Sequence, residues 1–139
     1  MAIIDMQTMR YLNLFERIVR VRATKCFVYN NMIYFTIPSR FFSKAIGNQN
    51  QAARLISEQL GKRIRIIKDT NDDLDSIGRF IEAVVSPAGF SSIDFQNGIY
   101  VITAGSRERA ATLIGRNKVR LNELNSIMES YFRKEVKIV

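Results

Sequence analysis

The sequence predicts an α+β fold of two similar units, each a three-stranded sheet packed against three helices. A segment centred on a glycine occurs twice, as Ala45–Asn50 and as Leu113–Lys118. Around each copy the apolar patterns follow one order: helix, strand, strand and helix before the glycine, then helix and strand after it. We therefore place the first unit at residues 1–68 and the second at 69–139.

Both units open with an amphipathic helix. Its apolar residues at helical spacing are Leu12, Phe15, Ile18 and Val19 in the first unit, and Leu74, Ile77, Ile81, Val84 and Val85 in the second. Thr8 is the expected N-cap of the first helix, and Ser86–Gly89 should end the second. The carboxylates of Asp69, Asp72, Asp73 and Asp75 fit capping of that second helix better than a metal site.

A β-hairpin follows the opening helix of each unit. Asn30-Asn31 separates strands 27–30 and 32–37, and Asn97-Gly98 separates strands 90–95 and 99–103. Asparagine and glycine accept the positive φ angles of tight hairpin turns, so both turns are predicted there. Short helices from Ser39 or Ser106 then lead to the two glycines. The closing strands are expected at 62–66 and 134–138, and Gly61 suits a helix C-cap.

The charge and composition favour a binding protein over an enzyme. The net charge is +8 and the isoelectric point is about 10.0, which indicates a polyanionic partner. The chain has no histidine, so the commonest general base and the usual zinc ligand are missing. Its single cysteine, Cys26, lies in an apolar run and is expected to be buried. We predict no catalytic residues, no cofactor and no metal.

The chain shows no sign of a membrane or export segment. No apolar run approaches the roughly 18 residues that a spanning helix needs. The first ten residues lack the basic start and apolar stretch of a signal peptide. We expect a cytoplasmic monomer with no membrane partner.

The repeated glycine segment suits contact with a phosphate. Glycine lets a backbone approach a ligand closely, and the helix that follows offers unpaired N–H groups. The units resemble type II KH domains, whose signature Ile-Gly-x-x-Gly lies between two helices beside a three-stranded sheet. The pair resembles the tandem KH domains of the NusA family of transcription factors, in particular its short archaeal members. This resemblance covers roughly residues 8–139 and implies that the loops hold single-stranded RNA.

Both loops depart from the signature at the second glycine. Asn50 and Lys118 stand there, and Asn50 tolerates left-handed angles better than Lys118, which could instead begin the following helix. The residues expected to bind RNA in the first unit are Lys44, Ile46, Gly47, Asn48, Gln49, Asn50, Arg54, Arg63 and Arg65. Those in the second unit are Ile114, Gly115, Arg116, Asn117, Lys118 and Arg120. Aromatic strand residues such as Tyr29, Tyr34, Phe35 and Tyr100 are assigned to core packing rather than to base stacking.

The resemblance implies a role in transcription elongation, termination or antitermination through nascent RNA. Two modules in a row would hold about eight nucleotides or more. Three alternatives stay open: a ribosome-associated or assembly factor, a DNA-binding protein that uses helix–turn–helix corners, and a protein that docks mainly on RNA polymerase.

Overall fold

The structure is a computed structural model that describes residues 6–71 and 73–139, without the side chains of residues 43–50. The described chain forms two compact units that divide between Asp69 and Thr70. Each unit contains helices and one three-stranded sheet, which confirms the predicted α+β class. Within the described ranges, no helix has both the length and the apolar character needed to cross a bilayer.

The described residues of the first unit, 6–69, form two helices and three strands. They are α1 (Met6–Val19), β1 (Lys25–Tyr29), β2 (Met32–Ile37), α2 (Ser39–Leu60) and β3 (Arg63–Lys68). The sheet order is β1-β2-β3, with β1 and β2 antiparallel and β2 and β3 parallel. Because β2 and β3 are parallel, both begin at the same end of the sheet. The β1–β2 turn and the α2–β3 connection therefore meet there.

The core of the first unit lies between its helices and one face of the sheet. Phe15 of α1 stacks on Phe35 of β2 with ring centroids 4.4 Å apart, and Ile56 of α2 is fully buried beside them. Cys26 is buried in the same cluster, as predicted. Thr8 lies inside α1 and is not its cap.

The predicted break at Gly47 is wrong. The backbone is helical without interruption from Ser39 to Leu60, so this unit has two helices where three were expected. A glycine inside a helix costs only about 1 kcal/mol relative to alanine. The neighbouring alanines and glutamines of residues 45–53 are good helix formers, and they offset that cost. The helix ends where predicted, at Gly61 with φ 67°.

The second unit has three helices and three strands. They are α3 (Leu74–Val85), β4 (Ser92–Gln96), β5 (Ile99–Thr103), α4 (Arg107–Ile114), α5 (Val119–Phe132) and β6 (Glu135–Ile138). Its sheet order is β4-β5-β6, with β5 and β6 parallel, as in the first unit. Asn97 and Gly98 form the predicted turn with φ 53° and 78°. A single 3₁₀ turn, Arg116–Lys118, separates α4 from α5.

The acidic segment before α3 caps that helix. Asp73 is the N-cap, and its carboxylate accepts hydrogen bonds from the Ser76 hydroxyl at 2.8 Å and from the Ser76 N–H at 3.1 Å. These bonds hold the pKa of the Asp73 carboxyl below its ordinary value. Asp69 instead pairs with Lys25 of the first unit, and Asp72 lies outside the described residues. The capping interpretation is therefore confirmed at Asp73.

Candidate nucleic-acid interface

The corner between α4 and α5 depends on Gly115. Its φ of 76° and ψ of 170° lie in a region that essentially only glycine occupies. A Cβ placed on Gly115 would lie 2.7 Å from Cγ of Arg120 and 3.0 Å from the Arg120 backbone nitrogen. Both the angles and this close approach exclude a side chain. The corner therefore exists in this shape because residue 115 is a glycine.

Two further residues of the corner have left-handed backbones. Asn117 has φ 55° and ψ 28°, and Lys118 has φ 62° and ψ 23°. The Lys118 N–H donates to the Gly115 carbonyl at 3.2 Å and closes the turn. The expectation that Lys118 begins α5 as a helical residue is wrong. Lysine here takes the angles that a glycine adopts most readily, at a cost of about 1–2 kcal/mol.

The corner presents positive charge to solvent. Arg116, Asn117 and Lys118 are exposed, and no ion pair to either cation occurs among the described residues. Arg116 and Asn117 line an open cleft of about 320 Å³, together with Ala111, Thr112, Gly115, Val119 and Arg120. The 14-residue helix α5 begins at this cleft with no side-chain cap, so its positive end adds to the charge.

The remaining predicted residues of the second loop have mainly structural roles. Arg120 donates to the Glu123 carboxylate at 2.7 Å, so its charge is already partly balanced. Ile114 is half-buried next to Leu113, which is fully buried. The six predicted residues of this unit thus lie at one corner, where Arg116, Asn117 and Lys118 are the ones presented to solvent.

The predicted site of the first unit is not assembled in the same way. The side chains of Lys44, Ile46, Gly47, Asn48, Gln49 and Asn50 lie outside the described residues, and the backbone there is helical. Arg54 is exposed on α2 and Arg63 on β3. Arg65 is half-buried, with its guanidinium 5.6 Å from the centre of the Tyr34 ring and Nη1 3.5 Å from the Tyr34 hydroxyl. Arg65 therefore packs on the sheet.

The four strand aromatics assigned to core packing are buried, as predicted. Tyr34 and Phe35 are fully buried, and Tyr29 and Tyr100 are 4% and 6% exposed. Phe27 stacks on Tyr34 with centroids 5.2 Å apart. None of these four predicted core aromatics offers an open ring face for stacking on a base.

Replacing Lys118 by glycine distinguishes the effect of its charge on RNA binding from the effect of its backbone angles on stability. The left-handed angles suit glycine, so Lys118→Gly should raise the free energy of unfolding by about 0.5 kcal/mol, net of the extra chain entropy. If Lys118 contacts a phosphate, the same change should weaken RNA binding by about tenfold. Denaturant unfolding and fluorescence anisotropy measure the two effects. A variant that is less stable and binds equally well would assign Lys118 a purely structural role.

Comparisons with known proteins agree with this fold. No protein-family profile matches the chain. It is 22% identical over 126 residues to "Probable transcription termination protein NusA" of Halococcus morrhuae, covering 89% of this chain and 88% of the relative. The crystal structure of APE1850 superposes with a TM-score of 0.68 at 24% identity, over 98% of this chain and 100% of that one.

These comparisons support two different statements. The sequence similarity supports a NusA-like relationship. The structural likeness is at low sequence identity and therefore supports the fold alone. The assignment of both units as type II KH domains stays a prediction.

Proposed function

We propose that this chain is a single-stranded RNA-binding protein with no catalytic activity, and that the corner of residues 115–118 in its second unit is the principal RNA contact. The observation that carries the proposal is the geometry of that corner. A glycine-dependent backbone turn, the exposed Arg116 and the positive end of a 14-residue helix lie around one open cleft, and the exposed Lys118 lies next to its lining residues in the chain. This combination suits the anionic backbone of RNA.

The proposed mechanism is a phosphate clamp. Arg116 can grip two phosphate oxygens with its planar guanidinium, whereas Lys118 supplies a compact charge. Gly115 permits the turn that places Arg116 beside the cleft and Lys118 next to it in the chain. Phosphate contacts of this kind fix the position of a strand without reading its sequence. When its phosphates are held in this way, the unpaired bases of the RNA remain free to contact the residues that line the cleft.

The two units contribute unequally in this proposal. The sequence predicted two corners and a track of two KH modules. Because α2 is continuous across Gly47, we assign the glycine-dependent clamp to the second unit alone. Any RNA contact of the first unit must then use residues outside the segment around Gly47.

The proposed cellular role is in transcription, at termination or elongation, through nascent RNA. It rests on the name of the Halococcus relative and on the extent of that match, which includes most of both chains. Contact with RNA polymerase is part of the proposed role. A pull-down from cell extract with and without ribonuclease separates direct docking from bridging by RNA.

Comparison of four nucleic acids at one salt concentration tests the proposed function. Single-stranded RNA should bind at least about tenfold more tightly than duplex RNA or duplex DNA of equal length, because only a single strand offers unpaired bases to the cleft. Single-stranded DNA is the fourth ligand and tests for recognition of the 2′-hydroxyl. A clear preference for duplex DNA would replace the proposal with a helix–turn–helix mode of binding.

A further inference from the structure

A second polar cleft lies at one end of the sheet in the first unit. It has a volume of about 510 Å³, and its lining residues are Asn30, Asn31, Met32, Gly61, Lys62 and Arg63. The parallel pairing of β2 with β3 sets Met32 opposite Arg63. The hairpin turn before β2 and the connection before β3 therefore form the two walls of this cleft, although they are distant from each other in the chain.

The walls of the cleft are fixed by local hydrogen bonds. The Gly61 N–H donates to the Ser57 carbonyl at 2.8 Å, and the Ser57 hydroxyl donates to the Lys62 carbonyl at 2.7 Å. On the other wall, Asn30 and Asn31 form a tight turn with φ 51° and 62°. A ligand would meet two preformed turns rather than a mobile loop, so little ordering entropy is lost on binding.

The chemistry of the cleft is that of an anion site. Lys62 and Arg63 are both exposed, and among residues 6–71 and 73–139 neither forms an ion pair. The residues that line the cleft include no acid. The asparagines of the hairpin turn carry amide N–H donors. Adjacent cations without acidic partners repel each other, and a bound anion relieves that repulsion.

This cleft is separate from the segment around Gly47, where most RNA contacts of the first unit were predicted, although Arg63 was among the predicted residues. Gly61 caps the C-terminus of α2, the helix that contains Gly47. At a rise of about 1.5 Å per residue, the two glycines are about 21 Å apart along the helix axis. The cleft is also built from the first unit alone. It is therefore neither the predicted loop of that unit nor the corner at Gly115.

We propose that this cleft binds a phosphate of single-stranded RNA through Lys62 and Arg63, as a second contact of the protein. The inference rests on the proposed RNA-binding function and adds to it a site in the first unit. Arg63 lies at the start of β3, where its guanidinium can take two phosphate oxygens, and Lys62 adds a second charge from the connection.

The test compares two double variants with equal loss of charge in the same unit. Lys62→Gln with Arg63→Gln removes the proposed site, and Arg10→Gln with Arg17→Gln removes two exposed cations of α1. The probe is a labelled single-stranded RNA of mixed sequence, measured at several salt concentrations. The cleft variant should bind about tenfold more weakly, and its salt slope should fall by about 0.7, because one phosphate is no longer neutralised. The α1 variant should change affinity by less than about twofold.

Each outcome bears on one of the two proposals. Equal behaviour of the cleft and α1 variants, with the parent binding RNA, overturns the cleft site and leaves the corner at Gly115 intact. Weakened binding in the cleft variant together with no effect of changes at Arg116 and Lys118 supports the cleft and overturns the corner. A parent chain that binds no RNA overturns both. Circular dichroism spectra that match the parent show that each variant is folded.

Discussion

Gly115→Ala should destabilise the second unit by about 3 kcal/mol. Two costs add. A non-glycine residue at φ 76° and ψ 170° is strained by about 1–3 kcal/mol. The new methyl group would also overlap Arg120, including its backbone nitrogen at 3.0 Å, and overpacking of this kind costs about 1–3 kcal/mol. Denaturant unfolding followed by far-ultraviolet circular dichroism measures the destabilisation.

Gly89→Ala is the matched control for this prediction. Gly89 lies in the same unit, its φ is outside the left-handed region, and a Cβ there would meet no atom within 4 Å. Its substitution should change the free energy of unfolding by less than about 0.5 kcal/mol. If Gly115→Ala were as stable as Gly89→Ala, residue 115 would not need to be a glycine, and the described corner would be wrong.

Neutralising both exposed cations of the corner should weaken binding of single-stranded RNA about 100-fold. A hydrogen bond between charged groups contributes roughly 1.5 kcal/mol or more, so removal of two corresponds to about 3 kcal/mol. Arg116→Gln with Lys118→Gln makes this change without altering the glycine. Fluorescence anisotropy with a labelled single strand at fixed salt measures the affinity.

A control at the opposite end of α5 shows whether RNA affinity depends on the position of the cations or only on the overall charge. Arg133 and Lys137 are exposed, and Arg133 caps the C-terminus of α5, about 20 Å along the helix from Lys118. Arg133→Gln with Lys137→Gln removes the same charge, and its affinity should stay within about threefold of the parent. Equal weakening in the two variants would mean that net charge alone holds the RNA.

Much of the fold could be predicted because the residues that specify its turns and helix ends are neighbours in the sequence. The turns at Asn30-Asn31 and Asn97-Gly98 adopt the positive φ angles that these residue types favour. Asp73 caps α3, and Gly61 ends α2, for equally local reasons. The break at Gly47 could not be decided in this way. A glycine is compatible both with a corner and with the interior of a helix, and the surrounding residues favoured the helix.

The candidate site was predicted less completely than the fold. The corner at Gly115 was located from its repeated pattern, but the left-handed backbone of Lys118 contradicts the usual preference of lysine. Arg65 was assigned to RNA and also packs on Tyr34, its partner in the parallel register of β2 and β3, so its contact with RNA stays a prediction. Arg63 was among the residues predicted to bind RNA, but its position beside Asn30 and Asn31 was not predicted, because the cleft joins two turns distant in sequence. The cleft forms only when β2 pairs with β3, so no single segment of the sequence indicates it.

Titration of the ¹⁵N-labelled protein with single-stranded RNA, followed by two-dimensional NMR, tests the phosphate clamp most directly. The backbone amides of residues 115–120 should shift progressively and saturate at the affinity measured by anisotropy. RNA that binds with that affinity while these amides keep their positions would show that the strand is held elsewhere on the protein.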